Sequence, residues 1–473
     1  GMAVTISARP RRVILMGALL ALPGCAWLTP AAPVSGIAAP ARFVNAAEVP
    51  PAWPTPEWWR DFNSPELDTL MRSAVTRGFD VAAAEARVRQ ADAQLRIAGA
   101  ALLPAVSLSA QRQRQQSAPI STGGVAAGTR VLSSDNLSLG ASYELDFWGR
   151  NRAVREAARL TAVATRYDLG TVRITTEASL ANAYFQFVGA QEQAAIARAN
   201  LAASERILTV VRARIAAGTA TGLDLAQQET LVAQQRAQLP PLLQLAEQSR
   251  VSLATLAGVT PDAVAARGGL FNDLTVPPVG PGLPAELLTR RPDVLGAEQL
   301  LAAANADIVV ARAALLPSVT LSASGGFAAA VADTLISPQR QVFSLVAGLV
   351  QPVFQGGALT GQVRFNEARA LELLADYQRA IVQALVDAES GLVGLRQTTE
   401  QVRLQGEAVA TAERAFAIAE AQLRAGTIDL VSLLTAQQSL FTARNQLVQA
   451  RLARLQAAVA LFRALGGGWS LST

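Results

Sequence analysis

Two hydrophobic periods alternate along this chain, and the alternation occurs twice. From Leu67 to Leu103 apolar residues recur every three or four positions, with Leu67, Leu70, Met71, Ala74 and Val75 on one face, which predicts helix. The period then drops to two. Val106, Leu108 and Ala110 alternate with Ser107, Ser109 and Gln111, and beyond a Gly/Ser/Thr-rich loop Leu137, Leu139, Ala141, Tyr143 and Leu145 alternate with polar or small residues. That pattern predicts a two-stranded hairpin. Val319, Leu321 and Ala323, followed after a loop by Phe343, Leu345, Ala347 and Leu349, predict a second one. A long helix should follow each hairpin, because no proline occurs from Ile120 to Leu239 or from Val353 onward and Ala, Leu, Arg, Gln and Glu dominate. The 67 residues from Arg150 to Ala216 make a rod of about 100 Å. Gly218 and Gly426 stop the rods, and shorter helices restart from Leu223 and Leu430. Leu423, Ile428, Leu430, Leu433, Leu434 and Leu440 read as a coiled-coil packing seam.

The recurrence is a duplication. Asp80 to Ser109 matches Asp293 to Ser322 at an offset of 213, Phe147-Trp148-Gly149-Arg150 parallels Phe354-Gln355-Gly356-Gly357 at 207, and Ala217-Gly218-Thr219 parallels Ala425-Gly426-Thr427 at 208. Two units this long imply two similar halves side by side about a pseudo-axis. The expected layout is a signal peptide over 1–24, an extended anchor and equatorial segment over 25–66, a first repeat over 67–265 with its hairpin at 104–148, a linker over 266–284, a second repeat over 285–465 with its hairpin at 317–354, and a tail over 466–473.

Strands of about ten residues cross a bilayer when tilted. A soluble β-domain is the alternative, but four short strands between very long helices have no second sheet to pack on. In lipid a four-stranded sheet cannot stand alone, because its two edges leave N–H and C=O groups unpaired in hydrocarbon. Bacterial barrels have even strand counts of at least eight. Two copies would just close, and three give the wider bore that a water-filled tube needs.

Composition narrows the chemistry. The chain carries 41 Lys+Arg against 36 Asp+Glu, with no lysine, no histidine and one cysteine. The arginines are scattered along helices, which disfavours nucleic-acid binding. The commonest general base, the commonest metal ligand and any intramolecular disulfide are missing. Arg9, Arg11 and Arg12 precede the apolar run Val13 to Leu22, too short to span a membrane, and Leu22-Pro23-Gly24-Cys25 closes it in the order of a bacterial secretion signal. A small residue followed by the sole cysteine resembles a lipobox, whose thiol is acylated. Ala26 after Cys25 favours outer-membrane sorting. A plain signal peptide with an incidental cysteine is the other reading.

Four stretches carry a family resemblance: Trp58-Trp59-Arg60-Asp61-Phe62-Asn63-Ser64-Pro65-Glu66-Leu67, Tyr143-Glu144-Leu145-Asp146-Phe147-Trp148-Gly149-Arg150, Arg290-Arg291-Pro292-Asp293-Val294 with the helix through Pro317, and Arg463-Ala464-Leu465-Gly466-Gly467-Gly468-Trp469. Together and in this order they resemble the TolC-like outer membrane factors, NodT-type lipoproteins that serve resistance-nodulation-division efflux pumps. The resemblance implies an α+β membrane protein. It would be a homotrimer with a 12-stranded β-barrel, four strands per protomer, continued by a 12-helix periplasmic α-barrel, with an equatorial domain. It further implies an outer-membrane, lipid-anchored exit duct reaching into the periplasm, a membrane-fusion adaptor and an inner-membrane pump as partners, and no cofactor beyond lipid on Cys25. On their own residues, Trp58-Trp59 reads as a buried anchor and Arg291-Pro292-Asp293 as a helix start.

In that family the helix–turn–helix tips, here Gly218 to Leu225 and Gly426 to Thr435, close the tube. Positions that often hold a constricting Leu and Asp are Val431 and Thr435, so an acidic ring at Thr435 is impossible and an apolar one at Val431 remains open. Asp224 and Asp429 are the tip acids, each either a helix cap or a gate group. An enzyme would need a nucleophile and base that this chain cannot assemble. A coiled-coil adhesin would run its heptads on without paired hairpins. The cargo is not legible, although three methionines and no histidine give no soft-metal lining.

Overall fold

Two rods set the scale of the molecule. In a computed structural model, which describes residues 25–48, 50–118, 121–122, 125–126 and 129–470, helix α4 (Arg150–Ala216) holds 67 residues and α8 (Ala358–Ala425) holds 68, about 100 Å each. The expected signal peptide lies outside the described residues. Ahead of α4 come α1 (Cys25–Leu28), α2 (Pro65–Arg77), α3 (Phe79–Gly99), strand β1 (Ala105–Ser117), the small ladder of β2 (Ser121–Thr122) and β3 (Val125–Ala126), and β4 (Arg130–Leu145). Between the rods lie α5 (Gly222–Ala257), α6 (Pro284–Arg290), α7 (Pro292–Ala313), β5 (Ser318–Ala329) and β6 (Gln341–Val350), and α9 (Leu430–Ala464) follows α8. Toward the sheet, α3 and α7 flank the rods. Toward the far end, α5 and α9 do so. α7 is long and apolar enough to cross a membrane by composition alone, yet it packs between α4 and α8.

Two expectations need correction. The stretch Leu67 to Leu103 is not one helix, because Gly78 takes an extended ψ of 132° and separates α2 from α3. The first-half FWGR motif is also shifted by one against its copy. Gly149 and Gly357 are the residues that turn from strand into rod, with φ of 77° and 85°, so a constant spacing of 208 relates Gly149 to Gly357 and Gly218 to Gly426. The local reason for the FWGR sequence is visible. The Asp146 carboxylate accepts from the N–H groups of Asn151 and Arg152 at 3.0 and 2.9 Å, satisfying the start of α4, and Trp148 Nε1 donates to the Pro317 carbonyl at 2.7 Å, locking the first half to the second.

One antiparallel sheet runs in the order β1-β4-β5-β6. β1 and β4, of 13 and 16 residues, outrun the expected ten. β4 pairs with β5 from Leu145↔Val319 to Asp135↔Ala329, so the halves join through their middle strands and leave β1 and β6 as edges.

Midway along the rods an aromatic core forms the equator. Trp58 stacks on Phe462 with centroids 5.0 Å apart and planes at 16°, and Phe62 meets Phe185 at 5.1 Å. Trp58-Trp59 is thus the buried anchor that its sequence suggested. Arg291, also buried, grips Asp293 in α7 through Nε at 3.0 Å and Nη2 at 2.6 Å, and Asp387 in α8 through Nη1 at 2.9 Å. An N-terminal strap binds the α7 and α8 faces. Arg312 Nη1 donates to the Trp27 carbonyl at 2.7 Å, Asn305 Nδ2 to Ala31 at 3.1 Å, Gln378 Nε2 to Ser35 at 2.8 Å, and Glu389 accepts from the Val44 and Asn45 amides at 2.6 and 2.9 Å.

Asp68 ties this core together. It accepts from Arg72, from Trp59 Nε1 at 3.0 Å and from Arg60 Nε at 3.1 Å, and these bonds, Arg72 foremost, outweigh burial and hold its carboxyl down at about 2. Its contribution to stability is therefore complete above the unfolded carboxyl value of about 4 and is lost as pH falls toward about 2. Thermal midpoints recorded from pH 6 to pH 2 should fall steeply between pH 4 and 2 in the wild type and more shallowly in Asp68→Asn, and an identical acid limb in both proteins would contradict this role.

Candidate pore face and periplasmic tip

The ladder register sorts the sheet into two faces. One carries Val106, Leu108 and Ala110 of β1 against Ala141, Leu139 and Leu137 of β4, then Ala323, Gly325 and Phe327 of β5, then Leu345, Phe343 and Gln341 of β6. Phe343 on this face is 89% exposed in the protomer. The other face carries Ser107, Ser109 and Gln111, Gly140, Ser138 and Asn136, and Ser322 and Ser324. Hydroxyl pairs zip it across strands, Ser109 to Ser138 at 2.8 Å and Ser324 to Ser344 at 2.9 Å. Glu144 continues this second face below Ser142, and an apolar outside with a polar, hydroxyl-lined inside is what a lipid-embedded, water-filled barrel requires. β6 departs from the pattern, because Val342, Val346 and Val350 make its inner face apolar too.

At the opposite end both rods stop in the same way. Gly218 and Gly426 have φ of 72° and 73°, a left-handed conformation that residues with a Cβ rarely adopt. The next amides close the motif, Thr219 N–H to Arg214 O and Thr427 N–H to Gln422 O, both at 2.9 Å. Arg214 then spans the two tips, donating to Leu423 O and to Thr219 O at 3.1 Å.

The tip acids divide. Asp429 is the N-cap of α9 and accepts from Ser432 N–H at 2.8 Å. Asp224 is not a cap residue. Thr221 caps α5, and Asp224 sits three residues on as the reciprocal member of a capping box, accepting from Thr221 N–H at 2.7 Å. The Thr221 backbone and hydroxyl hold Asp224 below the ordinary carboxylate range, against the nearby Asp429 charge, while the Ser432 hydroxyl and amide do the same for Asp429. Both are ionised at neutral pH. Thr435 returns its hydroxyl to Val431 O at 2.9 Å.

Val431 is 56% exposed although apolar. The 208-residue spacing assigns it a counterpart that the sequence reading missed, Leu223, which is 67% exposed on the other tip. The repeat offset applied to Val431 would have found it. Among the described residues no group of His, Cys, Asp and Glu is arranged to hold a metal ion.

An amphipathic four-stranded sheet with open edges on paired rods defines a class: the protomer of an outer-membrane channel with a periplasmic extension. Residues 70–259 and 283–467 match the model of the outer membrane efflux protein family. The chain is 41% identical over 465 residues to the pyoverdine export outer membrane protein OpmQ of Pseudomonas putida, covering 97% of this chain and 98% of that one, and 42% identical over 464 residues to OpmQ of Pseudomonas aeruginosa, covering 97% of each. The solved outer-membrane channel OprN superimposes with a TM-score of 0.85 at 28% identity, covering 92% of this chain and 98% of that one. The chain belongs to the outer membrane efflux protein family. It is one protomer of a trimer whose sheets close a twelve-stranded barrel in the outer membrane above a twelve-helix periplasmic tunnel, and it is the channel of a tripartite efflux system with an adaptor and an inner-membrane pump. Its kin are transport channels rather than enzymes.

The cap assignment has a direct consequence. Asp429→Ala should loosen the first turn of α9 and Asp429→Ser much less, since serine also caps. Hydrogen exchange at the first-turn amides of α9 reads the difference, and equal protection in Asp429→Ala and wild type would contradict it.

Proposed function

We propose that this chain is the lipid-anchored exit duct for a pyoverdine-class cargo, served by a resistance-nodulation-division pump and its membrane-fusion adaptor, and gated at its tips by an apolar ring. Identity to two pyoverdine export proteins along nearly the whole chain supports the cargo. The hydroxyl- and amide-lined stretch of the inner face, uncharged from Asn136 to Ser142 with Glu144 below it, fits an export path with little charge selection along that stretch. Acylation of Cys25 is supported by the strap, since Trp27 is held by Arg312, near the end of α7 and six residues before β5 begins. A lipid on Cys25 therefore meets the periplasmic leaflet, and it adds to the anchoring of a protein that the barrel already makes integral.

The cargo test is secretion. Expressed in a strain lacking its own pyoverdine export channel but retaining pump and adaptor, this chain should restore extracellular pyoverdine, and Cys25→Ala behind a cleavable signal should lose the acyl label while staying in the membrane fraction as a trimer. Restored antibiotic efflux without restored pyoverdine would discard the cargo and keep the duct. A Cys25→Ala protein released as a soluble monomer would contradict the barrel.

The gate rests on Leu223 and Val431, apolar side chains exposed at matching positions of the two tips. Three copies of each around an axis exclude water, and such constrictions gate by dewetting. Leu223→Ser and Val431→Ser should each raise single-channel conductance in planar bilayers, whereas Thr435→Ala should change cation selectivity little. Asp429→Ser removes the charge and keeps the cap. A large selectivity loss in that variant, with conductance unchanged in both serine variants of the apolar pair, would transfer the gate to the carboxylates.

A further inference from the structure

Above its apolar rows the lipid face of β1 changes character. The rows from Leu145 up to Leu137 and Ala110 are apolar on the outward face. At about 3.3 Å per residue and a tilt near 40° they rise about 20 Å, close to a barrel's apolar band. The next two outward positions of β1 are Arg112, opposite Asp135, and Arg114, opposite Ser133. A cation on a lipid-facing strand is destabilising at mid-bilayer and tolerated only near an interface, so these arginines mark the extracellular boundary. Asp135 is buried, with Oδ1 at 3.4 Å from Arg112 Nε and no hydrogen-bond partner for Oδ2. Arg114 is exposed and has no ion pair among the described residues. Arg130 and Arg340 add charge at the same rim, and from residue 111 to 136 and 328 to 341 the only acids are Asp135 and Asp333.

We propose that Arg112 and Arg114 form a binding site for the phosphate groups of lipid A in the outer leaflet, one site per protomer and three around the barrel. Outer-leaflet glycolipids carry phosphates at the depth where the apolar band ends. Two guanidinium groups two residues apart on one strand face lie about 7 Å apart along it, and each offers a planar fork that binds phosphate oxygens in pairs. Asp135, directly across the ladder, pairs with Arg112 through Nε alone. The inference rests on the barrel assembly, but not on the cargo or the gate.

The test uses purified full-length trimer in a neutral detergent. Thermal midpoints and native mass spectra are recorded with diphosphorylated lipid A, with lipid A stripped of its phosphates, and with phosphatidylglycerol. The expected result is up to three diphosphorylated lipid A molecules retained per trimer and a raised midpoint, no shift with the stripped lipid, and a much smaller shift with phosphatidylglycerol. R114Q removes a side chain with no ion pair among the described residues, so its fold should be intact. It should bind lipid A at least fivefold more weakly, with R112Q/R114Q weaker still and R114K intermediate. Lipid A affinity of R114Q within twofold of wild type would overturn the site. Equal shifts from phosphatidylglycerol and lipid A would reduce it to a general anionic surface and overturn it as well.

Discussion

The unpaired edges of β1 and β6 are the constraint on which the rest depends. Within one protomer the sheet stops at those strands, and in hydrocarbon each unmet N–H or C=O costs several kcal/mol. Three copies remove every edge. Closure in turn fixes which face of the sheet meets lipid, because Phe343, Leu345 and Leu349 have nothing else to pack against, and it directs the serine and glutamine rows inward. Gly149 and Gly357 turn the inner strands into the rods, so each strand pair leads directly into the helices of the tunnel below.

Duplication explains the economy of the design. Each half supplies one hairpin, one rod and one tip, and β4 with β5 joins them through a continuous ladder. The copies differ where the chain must break symmetry. The first tip is capped by Thr221 with Asp224 in a reciprocal box, and the second by Asp429 alone. The equatorial core is asymmetric as well. It places Trp58 and Phe62 from the N-terminal segment against Phe462 from the last helix, so that the two ends of the chain hold the midpoint of the tube.

Much of this was legible in the sequence because it is local. A period of two over ten residues and an unbroken run without proline need no tertiary knowledge, and the rod from Arg150 to Ala216 begins and ends where its sequence says. Local reading failed at joints. Gly78 interrupts an amphipathic stripe that looks continuous. The one-residue slip at Gly149 came from matching Gly to Gly356 rather than to Gly357, the residue that caps α8. Long-range links such as Arg291 to Asp387 and Asn45 to Glu389 leave no periodic trace. Leu223 was hidden for a different reason, since an exposed leucine is common and only the repeat makes it a counterpart of Val431.

The most direct measurement is disulfide crosslinking between edges. Within a protomer β1 and β6 are separated by two strands, about 14 Å at the usual spacing, and Cys25 is the sole native cysteine. In a Cys25→Ala background, one cysteine is placed in β1 at Ser107 or Ser109 and one in β6 at Ser344 or Val346, and the protein is oxidised in outer-membrane vesicles. At least one pair should give a covalent closed trimer that resists denaturation and reverts to monomer on reduction. Crosslinks that stop at dimers, or monomers in every pair despite membrane insertion, would contradict it.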